Sequence, residues 1–149
     1  MRIVLVPLVF LLTACAGAQA TRTSANTMLI DGGAAPACGA GGAARVAAKS
    51  AAIETIRAGF DRYIIAGGQA QNNVSVSQMP GTFQTVGSAT YGGGFGTYRA
   101  TTSYVPGPTI VSGSHDRSLS VVMFRPGDPG FENALDAREA LGPEWAKLV

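Results

Sequence analysis

The chain has 149 residues, enough for one domain with a core of its own. Eleven basic residues against nine acidic leave a net charge of +2, and only 13% of residues are charged, so nothing electrostatic points to nucleic acid or an acidic partner. The remaining composition is small and plain: 20 Gly and many Ala, Ser and Thr, with two cysteines and one histidine.

Met1-Arg2 opens the chain with one basic residue, and Ile3 to Leu12 is an apolar run broken only by Pro7. A bilayer-spanning helix needs about 20 apolar residues, so this run is too short to be one. Its charge, length and small-residue end fit a secretory leader. The stretch Leu12-Thr13-Ala14-Cys15 resembles the lipobox of bacterial lipoprotein precursors. The resemblance implies cleavage before Cys15, diacylglycerol on its thiol and acylation of its new amino group. Residues 1–14 are then the signal peptide and Cys15 is the lipidation site, attached to the membrane by two or more acyl chains. The competing reading is an ordinary leader cut after Ala18 or Ala20. Under the lipoprotein reading Ala16, which is not Asp, implies the outer membrane, facing the periplasm.

Residues 15–26 read as a lipidated, flexible tether of small polar residues, and 27–149 as one domain. Met28-Leu29-Ile30 predicts a short strand ending in a turn at Asp31-Gly32-Gly33. Ala34 to Gly42 reads as a loop around Pro36 and Cys38. With Cys15 lipidated, Cys38 stands alone and forms no intrachain disulfide.

Residues 43–58 are Ala-rich, without Pro or Gly, and predict a helix. Val46, Ile53 and Phe60 form a bulky stripe. Ala44, Ala47, Ala48, Ala51 and Ala58 form a smooth face suited to close approach of a sheet. Gly59 is the expected cap. Tyr63 to Ala66 predicts a buried strand, with a bulge or bend at Gly67-Gly68 before Val74 and Val76 resume an alternating pattern.

The stretch 80–108 is dominated by Gly, Thr and Tyr. It predicts a hairpin of strands 82–90 and 97–105 around Gly92-Gly93-Gly94. Its aromatics, Phe83, Tyr91, Phe95, Tyr98 and Tyr104, either cover the sheet and each other or form a recognition surface. Segments 109–112 and 118–124 are further strands, with Leu119, Val121 and Met123 on one side. Asp128-Pro129 reads as the N-cap and first residue of a second helix running to Leu141, with Phe131, Ala134 and Leu135 as core candidates. Trp145 and Leu148 are expected to dock the tail. The order of elements predicts an α+β domain, a mostly antiparallel sheet with two helices packed on it.

Candidate chemistry is sparse. Cys38 lies just before a helix, and His115-Asp116 are adjacent on a polar turn, so a thiol nucleophile, a base and an orienting carboxylate are the residues to consider. Cell-wall Cys peptidases order a helix-start Cys and a strand His in this way, but PACGAGG and SGSHDRS lack the surroundings those enzymes carry. Adjacent strand residues also point to opposite faces. No metal-ligand cluster, phosphate loop or cofactor motif is present in the sequence. Arg57, Arg62, Arg117 and Arg125 would bind peptidoglycan or another polyanion only if they gathered on one face.

The body, in AAIETIRAGFDRYIIAGGQAQNNVSV, PGPTIVSG and the Asp128-Pro129-Gly130 end, resembles a small proteobacterial lipoprotein family of unassigned function. That resemblance implies an envelope address and no transferable active site. The expectation is a non-enzymatic binding or structural module of the periplasm, working through its hairpin and strand edges, with an envelope protein or peptidoglycan as partner. The alternative is a Cys38/His115-dependent thiol enzyme or redox protein.

Overall fold

The computed structural model describes residues 15–149; the leader reading falls on residues 1–14, outside the described residues. The fold is α+β, with nine strands and two helices among the described residues. The chain forms two compact units, residues 15–73 with 114–149, and residues 74–113.

The first unit is built on a five-stranded sheet. Its strands are β1 (Ala16–Arg22), β2 (Thr27–Ala34), β3 (Arg62–Asn72), β8 (His115–Phe124) and β9 (Leu135–Asp136), in the order β1-β2-β8-β3-β9. Every neighbouring pair is antiparallel. β2 and β3 therefore run parallel on either side of β8, joined by the helix α1 (Gly39–Arg57). A 3₁₀ turn, Pro36–Cys38, leads into α1.

Period-two burial fixes the register. Met28 and Ile30 on β2, and Leu119, Val121 and Met123 on β8, are buried against α1. Each large aliphatic side chain removed from water contributes about 1.5–3 kcal/mol. The buried face of α1 is the alanine face, Ala43, Ala47, Ala51 and Ala52, while Val46 and Ile53 are only half-buried. Small side chains bring helix and sheet together. A Cβ at Gly32 would lie 2.9 Å from the Ala43 carbonyl oxygen and 2.9 Å from the Ala47 Cβ. This is why Asp31-Gly32-Gly33 is strand rather than the expected turn: Gly32 makes room for the helix.

Two other expectations are corrected. Residues 16–22 are not a tether but the edge strand β1, paired with β2 from Ala16↔Ala34 to Arg22↔Met28. Backbone hydrogen bonds specify this strand, and its small side chains resemble those of a linker. The second helix does not start at Asp128. That carboxylate accepts the Arg125 backbone N–H at 2.7 Å and closes a turn. A 3₁₀ turn at Phe131–Asn133 and β9 follow, and only α2 (Ala137–Leu141) is helical. Its N-cap is Asp136, whose Oδ1 accepts the N–H groups of Arg138 and Glu139 at 2.9 and 3.1 Å. Ala134 and Ala137 are buried as core, whereas Leu135 is 56% exposed. Phe131 lies 4.5 Å from the Arg62 guanidinium, and Arg138 lies 5.2 Å from the Trp145 ring.

The expected bulge is present: the β3–β8 register shifts between Ile65 and Gly67. Beyond β3 the chain leaves the first unit at Asn73 and returns at Ser114, where the Asn73 N–H donates to the Ser114 carbonyl at 2.9 Å.

The second unit contains two ladders. β4 (Ser75–Gln78) pairs with β7 (Thr109–Ser112), and β5 (Thr82–Gly92) pairs with β6 (Phe95–Val105). Gly93 and Gly94 make the two-residue turn of the β5–β6 hairpin with φ of 60° and 85°, values that L side chains disfavour and that match the twist of the flanking strands. Gly107 passes against the 79–80 backbone, where a Cβ would stand 2.6 Å from the Pro80 carbonyl oxygen.

Candidate functional site

The thiol triad does not assemble. In the unlipidated chain Cys38 is not a free thiol: its sulfur is bonded to that of Cys15, whereas the expectation of a lone Cys38 applies to a Cys15 that carries lipid. The bond is reachable because Cys15 directly precedes β1, and the Ala35 N–H donates to the Cys15 carbonyl at 2.8 Å. Cys15 itself is exposed.

His115 and Asp116 are the first residues of β8 and therefore face opposite sides of the sheet. His115 shares the side of Leu119 and Val121. Asp116, on the other side, accepts from Asn73 Nδ2 at 2.6 Å and Ser114 Oγ at 3.1 Å. Among the described residues no hydrogen bond joins His115 to Asp116 or to Cys38. The carboxylate closes the neck between β3 and β8 instead of orienting an imidazole.

Three of the four candidate arginines, Arg57, Arg62 and Arg125, are held locally. Arg57 pairs with Glu54 at 2.9 Å. Arg62 Nη1 donates to the Phe131 carbonyl at 3.2 Å. Arg125 stacks 4.5 Å from the Phe60 ring and donates to the Gly59 carbonyl at 3.3 Å. A groove of about 510 Å³ runs beside Phe60, Phe124, Arg125 and Pro129. Asp128, also on its wall, accepts the Arg125 backbone N–H. No group of three or more His, Cys, Asp or Glu side chains suited to a metal occurs among the described residues.

The surface that stands out is the β5–β6 hairpin. Register alternation gives it two different faces. One carries Phe83, Thr85, Gly87, Ala89 and Tyr91 opposite Tyr104, Thr102, Ala100, Tyr98 and Gly96. The other carries Gln84, Ser88, Thr90, Thr97, Arg99 and Ser103, with Val86 and Phe95. On the first face Phe83 and Tyr104 rings meet at 5.1 Å, tilted by 55°. Tyr98 lies over Gly87 and Tyr91 over Gly96, each ring covering the space a Cβ would fill. Even so, Phe83, Tyr91 and Tyr98 remain 73%, 85% and 72% exposed.

Of the two readings of these aromatics, cross-strand pairing therefore describes their contacts but does not bury them. A sequence signal for this surface existed in the charges. Between Arg62 and Asp116 the only charged residue is Arg99. A solvated surface normally carries about a quarter or more charged residues.

Among the described residues no helix is long and apolar enough to cross a membrane. The chain matches no protein-family profile, no curated protein and no solved structure.

Proposed function

We propose that the chain is an exported envelope protein, a non-enzymatic binding or structural module whose working surface is the β5–β6 hairpin. One observation carries the reading: two eleven-residue strands expose a row of aromatics that nothing in the second unit covers. An isolated two-stranded ribbon is at best marginally stable in water, so a partner that buries this face supplies what the chain lacks.

Export is supported from two directions. The apolar opening segment runs into the lipobox-like stretch Leu12-Thr13-Ala14-Cys15. A Cys15–Cys38 disulfide belongs to an oxidising compartment. The Cys15 sulfur can make only one of the two bonds, so the lipid thioether and the disulfide are alternative states of one residue. In the lipidated state Cys38 is a free thiol and the sheet begins one residue from the membrane anchor, with no spacer. Mass spectrometry of the Cys15 peptide from a membrane fraction is expected to show the acylated form. A Cys15 peptide recovered only from the soluble fraction, unmodified and disulfide-linked, would assign the chain to the soluble periplasm.

The hairpin is tested by placing a photo-crosslinking residue at Tyr91 or Tyr98, and separately at Gln19 or Ser120 on the open face of the five-stranded sheet. Adducts in the intact envelope are expected from the hairpin positions. Adducts from the sheet face alone would move the working surface to the first unit.

A further inference from the structure

The hairpin carries a more specific assignment, which deepens the reading above and rests on the hairpin being the working surface. We infer that hairpins from several copies of this chain pair edge to edge within a lipid bilayer and close into a transmembrane β-barrel, with the Phe83–Tyr91 face toward lipid and the Arg99 face toward the lumen.

Four features of the hairpin converge on this. The first is length: β5 and β6 have eleven residues each, and a tilted transmembrane strand takes about 9–11. The second is the division between faces. The first face contains no charge and no amide side chain, only aromatics, Ala, Gly and Thr, whereas the amide, the charge and both serines, Gln84, Arg99, Ser88 and Ser103, lie on the other beside Val86 and Phe95. Outward apolar and inward polar residues alternate in this way along barrel strands.

The third is the placement of the aromatics. Phe83 pairs with Tyr104 near one end, and Tyr91 and Tyr98 lie near the other, with Thr85, Thr102, Gly87, Ala89 and Ala100 between them. From Phe83 to Tyr91 the strand rises about 27 Å at about 3.4 Å per residue. Tilted by about 40°, that is a little over 20 Å, close to the apolar band of about 25 Å bounded by aromatic girdles in outer-membrane barrels. The fourth is the pair of edges. The ladder has only two strands, so β5 and β6 each present one unpaired edge. An open edge leaves backbone N–H and C=O groups without partners in hydrocarbon, and closure removes every edge. One hairpin cannot close, but further copies supply the missing strands two at a time. The smallest common barrels have about eight strands, which sets about four copies as the lower bound.

Closure would also order the lumen. Each copy contributes one Arg99, and a ring of arginines in a pore favours anions.

The test uses the full chain purified from membranes and vesicles of phosphatidylethanolamine and phosphatidylglycerol. Added to vesicles, the chain is expected to become a crosslinkable oligomer, to protect residues 82–105 from protease and to release an entrapped anionic dye. Ala100 and Thr101 are neighbours on opposite faces, so they separate lipid from lumen. Ala100→Arg is expected to reduce dye release at least tenfold, while Thr101→Arg retains it. An unchanged urea midpoint shows that the first unit is intact in both variants, and retained dye release by Thr101→Arg shows that an added arginine does not by itself unfold the hairpin. Arg99→Ser is expected to lose the anion preference in a salt-gradient reversal potential. Equal behaviour of the two arginine variants would overturn the assignment of faces. Oligomers that form without lipid and release no dye would overturn the barrel. If the photo-crosslinks above still map to the hairpin, the binding-module reading survives that loss; if they do not, both fall.

Discussion

The two units use the same alternation of side chains and end in opposite states. In the first unit Ile30, Val121 and Met123 are fully buried because α1 lies across their face of the sheet. In the second, Phe83, Tyr91, Tyr98 and Tyr104 share one face of equally regular strands and are all more than half exposed. A period of two specifies a strand and its faces. It does not specify whether the covering layer belongs to the same chain. The first unit carries its own cover, a helix with an alanine face narrow enough to sit on Gly32. The second carries none.

This contrast can be broken most forcefully at Ile30. Ile30→Ala leaves a cavity beneath α1 and is expected to cost about 2–5 kcal/mol in urea unfolding. Val86→Ala in the hairpin, 75% exposed, is expected to stay within about 0.5 kcal/mol in the same experiment. Equal losses would mean that the second unit has a core of its own. Glycine gives the next largest difference. Gly32→Ala places a methyl 2.9 Å from the Ala43 carbonyl oxygen, which the helix backbone holds in place, and is expected to cost about 1–3 kcal/mol. Gly87→Ala also meets a neighbour, but that neighbour is the exposed end of the Tyr98 ring, which can swing away. Its expected change is within about 0.5 kcal/mol.

Smaller effects sharpen the picture inside the first unit. Asp136→Ala removes the cap of α2 and is expected to cost about 1 kcal/mol, with faster hydrogen exchange at Arg138 and Glu139. The smallest effect is in pH. Burial raises the Tyr63 phenol above its ordinary pKa of about 10. Below pH 10 both folded and unfolded chains hold the proton and Tyr63 adds no slope. Above it the unfolded chain has released the proton that the folded chain keeps, so stability falls as pH rises toward the higher folded value. Tyr63→Phe is expected to flatten that alkaline slope, and an unchanged slope would place its origin elsewhere.

Much of this fold was legible from local chemistry. The alanine-rich helix, the hairpin around Gly93-Gly94, the bulge after Ile65 and the inward row Leu119, Val121 and Met123 all follow from propensity, turn chemistry and period. The errors have a common physical origin. β1 and the glycines of β2 were hidden because their structure depends on backbone pairing and a close helix, neither of which leaves a hydrophobic pattern. Asp128-Pro129-Gly130 carried a helix-start signature, yet its carboxylate caps a turn on Arg125, since a side chain that can accept a backbone N–H does so for a helix or a turn alike.

The site divides in the same way. The types and spacing of Cys38, His115 and Asp116 made a triad conceivable, and only the tertiary structure decided it. The sheet places His115 and Asp116 on opposite faces and brings Cys15 to Cys38. Sequence by itself determined the α+β class, the presence of a hairpin turning at its glycines and the near-absence of charge from Tyr63 to Ser114, because these depend on residue type and neighbours along the chain; the full eleven-residue strands and their two faces came from the pairing register. The tertiary structure decided which apolar rows are covered and which cysteine sulfurs meet, because burial and bonding depend on segments far apart in sequence arriving at one place.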